Sequence, residues 1–390
     1  MGKLELIAAT DAGLEAVAAR ELKTMGYHEL MIENGRVTFT GEEKDICRTN
    51  LWLRTAERIQ VKMAEFPART LEELYEGVRS IPWHEWIPEN GEFPVEGQSS
   101  KSLLSNASAC QAVARKAVLE RMKQSYRRET FEETGPLYMI GVSLLNDMAT
   151  VTLDTTGQGL HMRGYRKLAA EAPLKETLAA AMVLLSRWSP DRPLYDPFCG
   201  SGTIPIEAAL IGWNVAPGLR RSFPSEQWQR VTGAMWNAAR EEAYDALKDD
   251  IPLQITGSDI DPQEIEAASA SVKRAGLAGE IRFDVLPVSD MRAAGDCGMI
   301  ITCPPTGDRP GSQREAETAL RQLAAKFHSL QNWSAVVLSP SKNLEHYMEQ
   351  KADRKRKLFN GSLECLLYQY NSSQVSGTGA LFKMKKEGAG

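Results

Sequence analysis

Apolar positions recur at helical spacing early in the chain, with Leu14, Val17, Ala18, Leu22 and Met25 on one face, which predicts a helix over 11–25 with Asp11 as its N-cap. Strands are predicted on either side, at 4–9 and 33–40, and a second helix at 42–53. A further α+β stretch follows. It holds a helix over 71–78, a Trp- and Pro-rich connection at 81–88, a helix over 107–123, and strands at 137–145 and 148–154. Asn146-Asp147, between the last two strands, is a hairpin signal, because both residues tolerate the positive φ that a tight turn demands.

After Pro173 the period switches to alternating helix and strand, the pattern of a parallel sheet with crossover helices. Pro173 suits the first turn of a helix whose Leu174, Leu178, Met182 and Leu185 share a face. Strands are expected at 193–196, 255–259, 281–284, 297–302, 333–338 and 365–370, and helices at 203–211 and 262–275. Residues 213–248 form a Trp-rich insertion. The strand over 297–302 is apolar throughout and should be central.

Length changes this picture little: 390 residues with 43% hydrophobic content can bury two or three cores. The first residues, Met1-Gly2-Lys3-Leu4-Glu5, lack a signal-peptide pattern and no run reaches membrane-spanning length, so a cytoplasmic protein is expected. The six cysteines contain no CxxC pair, which argues against zinc and against a disulfide framework. A net charge of −5 does not advertise a nucleic-acid partner, but cations are clustered. Lys101, Arg115, Lys116, Arg121, Lys123, Arg127 and Arg128 fall in a stretch whose one acid is Glu120, and Lys351 to Lys357 forms a second basic run. Either run alone reads equally as a solvated face; together they suit a split phosphate-binding surface.

The chemistry concentrates at strand ends. Asp196-Pro197-Phe198-Cys199-Gly200-Ser201-Gly202-Thr203 is an acidic, glycine-rich turn between a strand and a helix, where Gly200 and Gly202 allow close backbone approach to a ligand. It contains no GxGxxG, which disfavours a dinucleotide, and suits S-adenosylmethionine. Asp259, with Ile260 beside it, ends the next strand and can accept ribose hydroxyls, while Asp261, followed by Pro262 and Glu264, reads as a helix cap. Asp290 completes the set as an adenine contact. In an open α/β sheet these residues and Thr302 to Thr306, which include the loop Cys303-Pro304-Pro305-Thr306, should converge at the carboxyl ends of the strands.

Taken in order, this turn, Asn214 to Gly218 with Arg221-Ser222-Phe223, the acid pair, the Pro-Pro loop and Lys355-Arg356-Lys357-Leu358-Phe359-Asn360-Gly361 resemble the bacterial THUMP-domain RNA methyltransferase family. That family includes 23S rRNA guanine-N2 methyltransferases and proteins labelled N6-adenine-specific DNA methylases. Phe93-Pro94-Val95 to Ser102, Cys110 to Val113, Arg163-Gly164-Tyr165-Arg166 and Glu171 to Leu174 extend the likeness over nearly the whole chain. The resemblance implies a ferredoxin-like part over 1–60, a THUMP RNA-binding domain over 61–160, and a class I, Rossmann-like methyltransferase domain over 161–390. It implies S-adenosylmethionine as cofactor, ribosomal RNA as partner with guanine N2 as target, and RNA contacts from Lys101, Arg115, Lys116, Arg163, Arg166, Lys355, Arg356 and Lys357. DNA adenine methylation is a weaker alternative, since a THUMP-like half has no evident use on DNA. Oligomeric state is left open.

The catalytic loop departs from the family's Asn-Pro-Pro-Tyr. There the Asn oxygen and the next carbonyl accept from the amine being methylated, and the Tyr stacks on the base. Cys303 is a weak acceptor and Thr306 has no π face, although the Pro304 carbonyl, Gly307 and Arg309 remain. An alternative reading is therefore a degenerate protein that still binds RNA and cofactor in ribosome assembly. Cys303 as a covalent nucleophile is disfavoured, because it precedes the prolines and no neighbour clearly lowers its pKa.

Overall fold

In the computed structural model, which describes residues 2–166, 174–305 and 312–372, the chain divides into two compact units. The first comprises residues 1–163 and 215–247; the second comprises 164–214 and 248–390.

The first unit begins β1 (Leu4–Thr10), α1 (Glu15–Thr24), β2 (Leu30–Glu33), β3 (Arg36–Gly41), α2 (Glu43–Trp52) and β4 (Ala56–Pro67), a ferredoxin-like order. It continues with α3 (Leu71–Ser80), β5 (Val95–Ser100), α4 (Ala107–Tyr126), β6 (Met139–Leu145) and β7 (Met148–Asp154). The seven strands form one sheet in the order β2-β3-β1-β4-β7-β6-β5, antiparallel except where β5 runs parallel to β6. Asn146 and Asp147 take φ of 51° and 63°, the doubly positive geometry of the tight hairpin turn. Asp11 does not cap α1; the helix starts after Leu14 and has no side-chain cap.

The 215–247 segment, expected with the methyltransferase part, belongs to the first unit. It carries a helix over Gly233–Asp245, and its Leu219, Phe223, Trp228, Val231 and Trp236 are buried in that unit's core. Trp228 stacks on Tyr138 with ring centroids 4.7 Å apart. A methyl group on Gly218 would lie 2.7 Å from the Leu51 Cα, so only glycine allows this approach to the end of α2.

The second unit holds α5 (Glu176–Ser186), β8 (Leu194–Asp196) and α6 (Thr203–Gly212); then, with the inserted helix counted as α7, come β9 (Ile255–Asp259), α8 (Pro262–Ala275), β10 (Ile281–Val285) and β11 (Gly298–Thr302). It closes with α9 (Gln313–Ser329), β12 (Trp333–Ser339), α10 (Leu344–Tyr347), β13 (Arg354–Asn360) and β14 (Leu363–Tyr370). The sheet order is β10-β9-β8-β11-β12-β14-β13, parallel from β10 to β12, with β14 and β13 added antiparallel. β11 is the central strand and fully buried, as its apolar run requires. The order reverses between β8 and β11, which opens a crevice at their carboxyl ends. Among the described residues no helix is long and apolar enough to cross a membrane.

Candidate active site

The acidic turn begins where β8 ends. Asp196 is 1% exposed and its Oδ1 accepts from the Thr302 hydroxyl at 2.6 Å and from the Phe198 amide at 3.2 Å. Burial pushes its carboxyl up to about 7; the nearby Asp259 adds to this, and the Thr302 and Phe198 donors oppose it. The turn is fixed by bonds from Cys199 N to Ser258 O and from Gly202 N to Cys199 O. Gly200 and Gly202 take φ of +48° and +83°. A Cβ on Gly202 would meet Phe283 at 2.9 Å and Ala268 at 3.1 Å, so the position needs glycine for conformation and for space. Phe198 packs against the second unit's core, Ser201 is half-buried, and Thr203 is the buried first residue of α6.

One strand over, Asp259 accepts from Gly200 N at 2.9 Å through Oδ2 and from Asp261 N at 3.0 Å through Oδ1. The glycine turn and the second acid therefore form one hydrogen-bonded rim. Asp261 caps α8, accepting from Gln263 N at 2.8 Å, as expected. Ile260, 72% exposed, stands at the lip. Asp290 is exposed on a 3-10 turn after β10, at the same sheet edge, and accepts from the Ser289 hydroxyl at 3.3 Å.

The loop after β11 brings Cys303, half-buried, and Pro304, buried, beside Asp196; Pro305 is exposed, and Thr306, Gly307 and Arg309 lie outside the described residues. Burial, with Cys365 and Asp196 nearby, pushes the Cys303 thiol up to about 12. The thiol form is therefore the favoured one at neutral pH.

Sequence placed Thr302 at this crevice, with the loop that follows it, but gave it no role, and it left Glu264 out of the site. Glu264 read as part of a helix cap, yet its Oε2 lies 3.6 Å from where a Gly200 Cβ would stand. Partial burial and then the charges of Asp259 and Asp261 raise its pKa. The signal for Glu264 was present in its spacing, one turn into the helix that Asp261 starts.

The cationic candidates are scattered. Lys101 is exposed at the end of β5, and Lys116 is exposed on α4 over the Tyr75 ring. Arg115 is committed to Glu133 at 2.7 Å and to the Phe93 carbonyl at 3.1 Å. Arg163 is 3% exposed and donates to the Leu160 and Arg54 carbonyls, so it is framework in the first unit. Arg166 pairs with Glu176 at 2.8 Å and reaches the Leu174 carbonyl and, at 3.4 Å, the Thr203 hydroxyl, so it braces the glycine turn. Lys355, Arg356 and Lys357 lie exposed along edge strand β13, with Lys355 on Glu345 and Lys357 on Glu364.

A carboxylate rim over a glycine cradle fits a cationic adenosyl cofactor: Asp259 suits vicinal hydroxyls, Ile260 an apolar base face, and Asp196 a positive charge. Among the described residues no cluster could hold a metal ion.

Comparison with known proteins agrees with this chemistry. Family models match residues 5–60 (RlmL ferredoxin-like domain), 68–154 (THUMP domain) and 163–369 (RMKL-like, methyltransferase domain). The chain is 46% identical over 372 residues to YpsC of Bacillus subtilis (strain 168), which carries an RNA methyltransferase name, covering 95% of this chain and 96% of that one. It is 32% identical to the ribosomal RNA large subunit methyltransferase K/L of Syntrophotalea carbinolica, covering 97% of this chain and 55% of that longer protein. Among solved structures, SMU.472 complexed with SAH superposes with a TM-score of 0.90 at 40% identity, covering 95% and 99% of the two chains. A Listeria monocytogenes protein described as an N6-adenine-specific DNA methylase gives 0.91 at 42% identity, covering 95% and 97%.

Proposed function

The chain belongs to the RMKL-like methyltransferase family, an S-adenosylmethionine-dependent RNA methyltransferase with ferredoxin-like and THUMP domains, and from that premise we propose that it methylates an exocyclic base amine, guanine N2 of 23S rRNA. When bound, the cofactor supplies an electrophilic methyl group. Asp259 then holds the ribose, Ile260 and Asp290 border the adenine, and Asp196 faces the positive charge. The glycine turn admits the cofactor against its backbone.

The observation that carries the amine reading is the loop after β11. Burial leaves the Cys303 thiol unactivated for attack on a ring carbon, whereas the Pro304 carbonyl survives as an acceptor that can turn an N–H, and with it the nitrogen lone pair, toward the methyl. Losing one side-chain acceptor at Cys303 costs alignment worth about 1–3 kcal/mol, roughly 5- to 150-fold in rate, and predicts a slow enzyme. For the RNA, recognition by shape and phosphate is compatible with an acidic chain. Lys101 and Lys116 of the first unit and Arg356 of the second are the contacts we favour, with Arg163 and Arg166 set aside as framework.

The test is incubation with labelled cofactor and undermodified 23S rRNA followed by nucleoside analysis. N2-methylguanosine is expected. Label in another nucleoside would refute the guanine assignment. Cofactor binding with no incorporation above a Gly202→Val control would favour the RNA-binding assembly reading.

A further inference from the structure

Two buried polar side chains meet where β8 and β11 run side by side. The Thr302 hydroxyl, fully shielded from solvent, donates to Asp196 Oδ1 at 2.6 Å. The Phe198 amide donates to the same oxygen. Both bonds fall on Oδ1, so Oδ2 is the Asp196 oxygen without a hydrogen-bond donor among the described residues. Thr302 is also the residue directly before Cys303-Pro304-Pro305, while Asp196 is the first residue of the glycine turn. One short bond thus joins the loop assigned to the acceptor base to the loop assigned to the cofactor.

We propose that Thr302 is a positioning residue of the methyltransferase site: its hydroxyl locks the Asp196 carboxylate with Oδ2 left for the cationic part of S-adenosylmethionine, and by the same bond sets the Pro304–Pro305 loop in register with the glycine turn. The inference rests on the reading that Asp196 faces the cofactor. A hydroxyl donating to a carboxylate favours its ionised form. The other ionisable groups that bear on Asp196 are Asp259 from β9, Cys199 from the turn and Cys303 from the loop after β11. Burial and the charge of Asp259 oppose ionisation, so Thr302 works against both. Without it Asp196 keeps its proton to a higher pH and loses its fixed orientation.

The experiment is calorimetry of S-adenosylmethionine binding to the full-length protein at pH 6.5 to 8.5, with no RNA present, for wild type, Thr302→Val, Thr302→Ser and Asp196→Asn. Thr302→Val removes the donor at nearly constant volume and is expected to bind about 10- to 100-fold more weakly at pH 7, the worth of a hydrogen bond to a charged group. Its midpoint for loss of binding on acidification should lie at higher pH than that of wild type, which a merely structural role would not produce. Thr302→Ser should bind within about threefold of wild type, since it keeps the donor. Should Thr302→Val fail to fold, Thr302→Cys, with a weak donor of similar size, carries the same comparison. Wild-type affinity and an unmoved midpoint in Thr302→Val, with Asp196→Asn impaired, would overturn the role of Thr302 alone. Unimpaired binding in Asp196→Asn would overturn the cofactor reading of Asp196 beneath it.

Discussion

Asp196 shows how a single residue carries opposed demands. A carboxylate at this depth disfavours its own charge, and in the unliganded protein the penalty grows as pH rises through the carboxyl's folded value of about 7. The sign follows from linkage. A carboxyl raised above its unfolded value contributes stability present at acid pH and lost as pH climbs through about 7. Asp196→Asn should therefore raise the melting temperature of the unliganded protein at pH 8, with the gain fading toward pH 5, while cofactor affinity falls. A thermal scan at both pH values checks this; an equal shift at pH 5 and pH 8 would contradict it. Gly202 is the complementary case. Adding one methyl, Gly202→Ala, forces a φ of +83° on an L-residue and a 2.9 Å approach to Phe283, a strain of about 1–3 kcal/mol. We expect a lowered melting temperature and at least a tenfold loss of cofactor affinity, measured by calorimetry. Sequence showed the acids and glycines plainly because their spacing is local. It brought Thr302 to the same crevice as Asp196 but could not show the bond between them, because that contact spans 106 positions and depends on β11 pairing with β8.

At the scale of elements, legibility followed periodicity. The strands β7 and β9 and the helix α8 have the bounds their patterns predict, since each alternates or repeats cleanly between strong caps. β4 and β13 were missed. In β4 the charges Glu57, Arg58, Lys62 and Glu65 interrupt the apolar alternation, and in β13 a run of four cations from Arg354 to Lys357 looks like a solvated tail until it is seen to pair with β14. At the edge of its sheet, the charged β13 also discourages edge-to-edge association. The inserted segment misled for another reason: its aromatic residues announce burial but not the core that receives them. Arg221 is what fastens it, donating to the carbonyls of Gly159 at 2.7 Å and Met162 at 3.1 Å and to those of Thr156 and Gln158. Burial, with Arg163 and Arg58 close by, lowers its pKa to about 10, so it remains charged at neutral pH. Arg221→Ala leaves these carbonyls without their donor and should cost about 2–4 kcal/mol. Hydrogen exchange should report faster opening of 215–247 than of β9; uniform exchange in wild type and variant would count against the fastening role.

For the whole molecule, the balance of charge governs how RNA is held. The basic stretch around α4 looked almost free of acids in sequence. In the folded unit Glu133 meets Arg115, Glu89 meets Arg128, and Glu120 and Glu129 meet Lys123. Much of the expected cationic surface is thus neutralised, in part by Glu89, Glu129 and Glu133 from outside the stretch, and a net charge of −5 remains. RNA affinity should then fall only gently with added salt, with a log–log slope of about −2 to −4 rather than the steeper slope of a strongly basic binder. Filter binding across 50 to 300 mM salt checks this. Lys101→Glu with Lys116→Glu should weaken RNA binding about tenfold and leave cofactor affinity unchanged, whereas a change in both would mean that the variant disturbs the fold.

If the carboxyl edge of β8 and β9 embraces an adenosyl cofactor, as proposed, a crystal structure of this protein grown with S-adenosylhomocysteine will show it. The ribose hydroxyls are expected on Asp259, the adenine between Ile260 and Asp290, and the homocysteine running past Gly200 toward Asp196 and Pro304. A nucleoside bound elsewhere, or one at this edge with Asp259 making no contact to its ribose, would contradict it.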